Sequence, residues 1–94
     1  MKTAFILMAQ YDGKVIIPIA DVCRDYFAPL TLTNLVRKIS AGQIALPLVR
    51  MEQSQKTAKG VHLVDLAAFI DARRAAAVKE CQQLCGHVYG AVRE

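Results

Sequence analysis

The sequence contains no tryptophan, and only 6% of its 94 residues are aromatic. Hydrophobic residues nevertheless make up 54% of the chain, which is the composition of a folded globular protein and not of a disordered tail. The core therefore has to be built from Ala, Leu, Val and Ile. The length suits one compact domain, so we expect a single domain over residues 1–94 with its core at about 3–72.

Cysteines are few and odd in number, with thiols at Cys23, Cys81 and Cys85. They lack the spacing of a secreted disulfide scaffold, so we expect all three to be reduced. No apolar run reaches the roughly 18 residues that a membrane span requires. The short apolar run at residues 4–9 has one preceding lysine and no plausible cleavage site after it. The sequence therefore predicts a cytoplasmic protein that does not associate with membranes.

Catalytic motifs are also missing. The chain has no glycine-rich phosphate loop and no nucleophile motif, and its aspartates lie where turns, helix starts and solvent-facing positions are expected. Cys81 and Cys85 are one helical turn apart with His87 nearby, but a fourth metal ligand is absent from the neighbourhood. We interpret these cysteines as small buried apolar residues. The sequence predicts no enzyme, no cofactor and no metal site.

Positive charge, by contrast, is concentrated in one part of the chain. The formal net charge is +4. Residues 31–60 contain five basic side chains and one acidic side chain, whereas the other 64 residues contain seven of each. A solvated surface that is mildly basic throughout is the alternative, but it does not explain why one third of the chain holds the whole excess. The distribution favours a surface that binds a polyanion.

Hydrophobic periodicity predicts the elements of the N-terminal half. Residues 3–11 are apolar nearly all round and end at a turn dipeptide, which indicates a short buried helix, with a strand as the alternative. A β-branched run at 15–17, stopped by Pro18, predicts a short edge strand. Apolar residues at helical spacing across 19–27 predict a helix with one buried face.

A second helix and a hairpin follow after a break at a proline. Thr31 is a suitable N-cap for the helix, and Gly42 occupies the position of a left-handed C-terminal cap. Beyond Gly42, residues 44–51 and 61–64 are strand-like and enclose the polar segment 52–60, which carries two lysines. The pattern predicts a hairpin with a long basic tip.

The last predicted element is a long helix. Residues 65–85 are rich in helix formers and would extend roughly 30 Å. Apolar residues recur along this helix beyond the point where the core should be complete, so we expect them to form a homodimer contact. The alternative is a helix that folds back onto the apolar residues near the N-terminus. The residues expected to make the dimer contact are Ile70, Ala77, Cys81 and Leu84.

Two short helices, a basic hairpin and a long helix together predict an α+β fold, namely a small winged helix-turn-helix domain with a long C-terminal helix. In that fold the second helix enters the major groove of double-stranded DNA, where Asn can pair with adenine and Arg or Lys with guanine. The candidates on this helix are Thr33, Asn34, Arg37 and Lys38. The hairpin would bind backbone phosphates, and its candidates are Arg50, Gln53, Ser54, Gln55, Lys56 and Lys59.

Five groups of residues form an ordered pattern along the chain. They are LMAQYDG at 7–13, IP at 17–18 with VCRDYF at 22–27, AG at 41–42 with LP at 46–47, SQK at 54–56, and DLA at 65–67 with DARR at 71–74. Together they span about residues 5–81, and their order resembles the pyocin activator protein family, PrtN. The resemblance implies a bacterial, often prophage-associated transcription activator that binds promoter-proximal DNA boxes and switches on phage-tail-like bacteriocin genes after DNA damage.

The order of elements is more distantly similar to excisionase and MerR-like DNA-binding domains, although this chain has Ala28-Pro29-Leu30 where those domains have a compact turn. Two alternative functions follow, a DNA-bending excisionase-like factor and an antirepressor that binds protein through the apolar helix. An activator is also expected to contact RNA polymerase. DNA binding would weaken steeply with salt because phosphate contacts release counterions, whereas an antirepressor would not require DNA at all.

Overall fold

The computed structural model describes residues 2–52 and 58–85. Its elements in chain order are α1 (Thr3–Gln10), β1 (Ile16–Pro18), α2 (Ile19–Tyr26), α3 (Leu32–Ser40), β2 (Val49–Arg50), β3 (Lys59–His62) and α4 (Leu63–Cys85). These described residues combine helices with a small antiparallel sheet of three strands. The predicted α+β class is confirmed.

The sheet has β3 at its centre, with antiparallel partners β1 on one side and β2 on the other. Ile17 lies opposite Val61, and Val49 lies opposite Gly60. A Cβ atom at Gly60 would lie 2.6 Å from Cγ2 of Ile16 and 2.8 Å from the carbonyl oxygen of Ile17. Those distances are shorter than non-bonded atoms tolerate, so the close approach of β1 requires glycine at this position.

The core is aliphatic, as the composition predicts. It lies between the sheet and the inner sides of the helices, and each of its buried side chains contributes about 1.5–3 kcal/mol through removal of apolar surface from water. The largest fully buried side chains are Leu7, Ile17, Val22, Leu35, Val61 and Leu66. Aromatic residues contribute at the edge, where the rings of Phe27 and Phe69 are 5.7 Å apart between centroids.

The first helix is present, but the expectation that it is buried all round is wrong. Leu7 is its buried residue, and the helix packs mainly against α4. Phe5, Ile6 and Met8 are exposed, because α1 lies at the margin of the domain and buries only the side that carries Leu7. An apolar side chain is compatible with either environment, since much of any protein surface is apolar.

The predicted strand at residues 44–51 is also much shorter in the structure. Val49–Arg50 pairs with β3, whereas Leu46 is buried from a segment outside the sheet, in which its N–H donates to the carbonyl of Ile44. Pro47 has no N–H to offer a strand ladder. The aliphatic residues before β2 therefore fill the core without pairing.

The second predicted strand covers residues 61–64, but in the structure β3 ends at His62 and α4 follows directly. Nδ1 of His62 accepts the N–H of Val64 at 3.1 Å, which satisfies one of the unpaired donors in the first helical turn. His62 is therefore structural, and the helix begins at Leu63 instead of Asp65.

A polar network ties the end of α1 to α2. The hydroxyl of Tyr11 donates to Oδ2 of Asp25, and Nε of Arg24 donates to Oδ1 of the same carboxylate at 3.0 Å. Burial, together with the hydrogen bond to Asp25, raises the pKa of Tyr11. The hydrogen bonds from Tyr11 and Arg24 lower the pKa of Asp25, so the carboxylate stabilises the fold in its charged form.

This network predicts a pH-dependent part of the stability. Because the pKa of Asp25 is lower in the folded chain than in the unfolded chain, its stabilisation is complete above about pH 4 and is lost as the pH falls through the folded-state value. Wild type and Asp25→Asn should therefore differ in urea unfolding at pH 7 and converge towards pH 3. Tyr11→Phe should lower the free energy of unfolding at pH 7 by about 1 kcal/mol.

The matched control is Tyr26→Phe, because the hydroxyl of Tyr26 donates to the uncharged Oε1 of Gln10 at 2.8 Å and also links α1 to α2. Its effect on stability should not change with pH. A difference between wild type and Asp25→Asn that stays constant down to pH 3 would contradict the assignment.

Candidate nucleic-acid interface

The helix that the sequence predicts to read DNA is α3, and both of its ends are fixed. Oγ1 of Thr31 accepts the N–H of Asn34 at 3.2 Å. At the other end Gly42 adopts a φ of +79°, and the N–H of Gln43 donates to the carbonyl of Lys38 at 2.9 Å. These are an N-cap and a left-handed glycine C-terminus, so both predicted caps are confirmed.

The connection between α2 and α3 is held against the core. Sγ of Cys23 lies 3.1 Å from the carbonyl oxygen of Leu30 and donates to it, while the N–H of Leu30 donates to the carbonyl of Phe27 at 2.7 Å. The peptide bond between Ala28 and Pro29 is cis. The proline that interrupts the helical pattern thus lies in an ordered turn, and this turn determines how α3 follows α2.

One side of α3 faces the core and the opposite side faces solvent. Leu35 is fully buried, Thr33 and Arg37 are exposed, and Asn34 and Lys38 are half-buried on one flank. The side chains of Asn34 and Arg37 are joined, since Nη2 of Arg37 donates to Oδ1 of Asn34 at 3.3 Å. Of the four predicted reading residues, Thr33 and Arg37 therefore face away from the core, whereas Asn34 and Lys38 lie on the flank of the helix.

The predicted hairpin is described at its base. Arg50 of β2 is exposed and lies directly opposite the half-buried Lys59 of β3. The remaining hairpin candidates lie outside the described residues, and they are Gln53, Ser54, Gln55 and Lys56. The described base of the hairpin therefore carries two cationic side chains at directly opposed positions.

A groove of about 580 Å³ lies between the segment that follows α3 and the first half of α4. Its lining is largely apolar and includes Phe27, Ile44 and Phe69, with the charged side chains of Asp65 and Arg73 also contributing. Sequence reasoning missed this groove, because its walls come from three separate stretches of chain. No local signal marks a cavity of that kind.

The residues predicted to form a dimer divide into two groups along α4. Ile70 is half-buried and packs against the core, whereas Ala77 and Leu84 are exposed and Cys81 is half-buried beyond the core. The first half of α4 packs against α1, but Phe5, Ile6 and Met8, onto which the alternative would fold the long helix, are exposed. The second half continues past that contact.

The cysteines are free thiols, as the sequence predicts. Sγ of Cys81 lies 3.9 Å from Sγ of Cys85, and the hydrogen bond between them, with burial as a lesser cause, raises the pKa of Cys81. Cys81 is half-buried and Cys85 is exposed, so the expectation that both residues are buried is wrong. Among the described residues, His, Cys, Asp and Glu form no cluster of three or more that could hold a metal ion.

The described residues include no helix long and apolar enough to cross a membrane.

The class of protein follows from comparison with known families. The chain matches the family described as pyocin activator protein PrtN over residues 3–77, a stretch that runs from α1 into α4 and includes α3 and the hairpin. The protein therefore belongs to the pyocin activator family, as the sequence resemblance predicts. This family is regulatory and is not a known enzyme class. No curated protein and no solved structure matches the chain.

The N-cap of α3 predicts a difference between two neighbouring threonines. Thr31→Ala removes the side-chain acceptor from the first turn and should lower the free energy of unfolding by about 1 kcal/mol. Thr33→Ala, at an exposed position inside the same helix, is the matched control and should change it by less than about 0.5 kcal/mol. Thermal or urea unfolding followed by circular dichroism measures both. Equal effects would mean that the capping bond contributes nothing.

Proposed function

We propose that this protein is a sequence-specific DNA-binding transcription activator of pyocin genes. In the proposal, residues 1–94 form one winged helix-turn-helix domain in which α2 and α3 are the helix-turn-helix and β2 with β3 is the wing. The order of elements and the strand order β1-β3-β2 support this reading. The family match supports the role in pyocin activation.

The observation that carries the proposal is the outer side of α3. It is capped at both ends, rests on the core through Leu35 and presents Arg37 to solvent. An α-helix fits the major groove of B-DNA, where side chains reach the base edges. Because α3 is already ordered, little conformational entropy is lost when it enters the groove.

The candidate side chains of α3 would contact different parts of the DNA. Thr33 and Arg37 lie where the helix would meet base edges, whereas the half-buried Lys38 has a side chain long enough to extend its ammonium group towards a phosphate. In the wing, Arg50 and Lys59 form the cationic base. Phosphate oxygens would accept hydrogen bonds from the exposed Arg50.

We propose that the second half of α4 pairs with the same segment of a second copy. The helix has 23 residues, hence a length of about 34 Å, in a domain whose longest extent is 50 Å. The stripe that reaches the core at Ile70 continues as Ala77, Cys81 and Leu84. These three side chains contact no core in the described chain. A two-fold partner would bury them.

DNA binding is tested by gel shift with fragments of the protein's own promoters. We expect binding that weakens about 100-fold or more between 50 and 200 mM salt, given about five phosphate contacts. Arg37→Ala should lower affinity about 5- to 150-fold, whereas Lys79→Ala, which removes one charge from exposed α4, should have little effect. Arg50→Ala combined with Lys59→Ala should weaken specific and non-specific duplexes alike and reduce the salt slope by about 2.

Other outcomes point to other functions. No shift with any fragment would contradict DNA binding and favour a protein-binding antirepressor. Shifts with attachment-site fragments but not with promoters would favour an excisionase-like factor. A cytoplasmic activator should also require contact with RNA polymerase, which in vitro transcription with purified polymerase measures directly.

The dimer is tested by light scattering. Wild type should have the mass of two chains at micromolar concentration, and Leu84→Glu should have the mass of one, because a charge in the apolar stripe opposes its burial. Gln83→Glu is the matched control on another side of the same turn and should remain dimeric. A monomeric wild type under these conditions would reject the proposal.

A further inference from the structure

We infer that α3 recognises guanine through Arg37, and that Asn34 is a positioning residue which orients the Arg37 guanidinium instead of reading adenine. This inference rests on the proposed DNA binding and assigns different duties to two residues of the same helix. It replaces the simpler expectation that each of them reads its own base.

The positions of the two residues around the helix differ. Each residue turns an α-helix by 100°, so Arg37 lies about 200° from the fully buried Leu35 and leaves α3 almost directly away from the core. Asn34 lies about 100° from Leu35 and is half-buried. Arg37 therefore projects towards a groove-bound partner, whereas the Asn34 amide lies along the flank.

The side-chain amide of Asn34 makes a hydrogen bond within α3. Oδ1 of Asn34 accepts from Nη2 of Arg37 at 3.3 Å, and because a guanidinium has donors only, the oxygen and not the nitrogen of the amide has to face it. Recognition of adenine requires Oδ1 to accept from the N6 amine while Nδ2 donates to N7, in the plane of the base. An Asn34 amide that read adenine would have to share its Oδ1 between the N6 amine and the Arg37 guanidinium.

The remaining donors of Arg37 match guanine. A guanidinium has five N–H groups, and one of them is used by Asn34. Guanine offers two neighbouring acceptors, O6 and N7, in the major groove, whereas adenine places the N6 amine beside its N7. Two neighbouring N–H donors of the guanidinium can therefore pair with both acceptors of guanine. On adenine, one of these donors would face the N6 amine, which is itself a donor.

The charge of Arg37 is also available for this contact. Arg24 on α2 is paired with Asp21 and Asp25, whereas no carboxylate in the described part of the chain is paired with Arg37. The uncharged Asn34 thus restricts the guanidinium without neutralising it. Holding the fork in one orientation reduces the rotamer entropy that binding would otherwise cost.

The test is selection from a pool of random 20-base-pair duplexes, followed by sequencing of the bound fraction. Wild type should select a guanine at one position per half-site, and Arg37→Ala should reduce preference at that position about 5- to 150-fold. Arg37→Lys keeps the charge but not the fork and should also reduce it. Asn34→Ala should reduce the same guanine preference about 2- to 10-fold, as expected for one hydrogen bond.

Two further variants separate positioning from reading. Asn34→Asp keeps an oxygen acceptor for Arg37 and lacks the amide donor that adenine requires. It should therefore retain the guanine preference that Asn34→Ala reduces. Its affinity for all duplexes should be lower. Lys38→Ala removes one charge from the same helix and should lower binding without changing base preference.

Three results would overturn the inference. Loss of an adenine preference in both Asn34 variants, with guanine unaffected, would show that Asn34 reads adenine. Duplexes bound without any base preference would reject base reading and leave non-specific DNA binding intact. Failure to retain any duplex would reject the proposed function as well.

Discussion

The packing of β3 between β1 and β2 is the constraint on which the other elements depend. Val61 is fully buried in this strand, and Gly60 permits the close approach of β1. The strand continues without a loop into α4, where His62 accepts the N–H of Val64. Because α2 and α4 both pack on β3, the position of the central strand determines where these two helices lie. A change at Gly60 would therefore disturb elements far from it in sequence.

The outward side of α3 is a consequence of this framework. Leu35 anchors the helix in the core, Cys23 holds the preceding turn through Leu30, and the caps stop the helix from fraying. The charged residues can then face solvent without any burial cost. In the proposed complex the domain would present an ordered helix to DNA. Little conformational entropy of the chain would then be lost on binding, and the contacts of Arg37 would contribute to discrimination between bases.

The sequence predicts what depends on local interactions. Both caps of α3 could be predicted, because Thr31 and Gly42 act within one helical turn of their partners. The exposure of Phe5 and the end of β3 at His62 could not be predicted, because both depend on which elements pack together. The same holds for the segment around Leu46, which fills the core instead of pairing. The apolar groove and the hydrogen bond from Arg37 to Asn34 likewise require the folded geometry.

The exposed apolar surface of α1 bears on how the proposed dimer would work. Oγ1 of Thr3 donates to Oδ1 of Asp71, so α1 is attached to α4 just before the segment that would pair with a second copy. Phe5 and Ile6, both exposed, therefore lie on the helix adjoining that segment. In a two-fold dimer the distance between the two copies of α3 equals the half-site spacing on DNA. Selection of bases would then reside in α3, and selection of spacing in α4 with its neighbour α1.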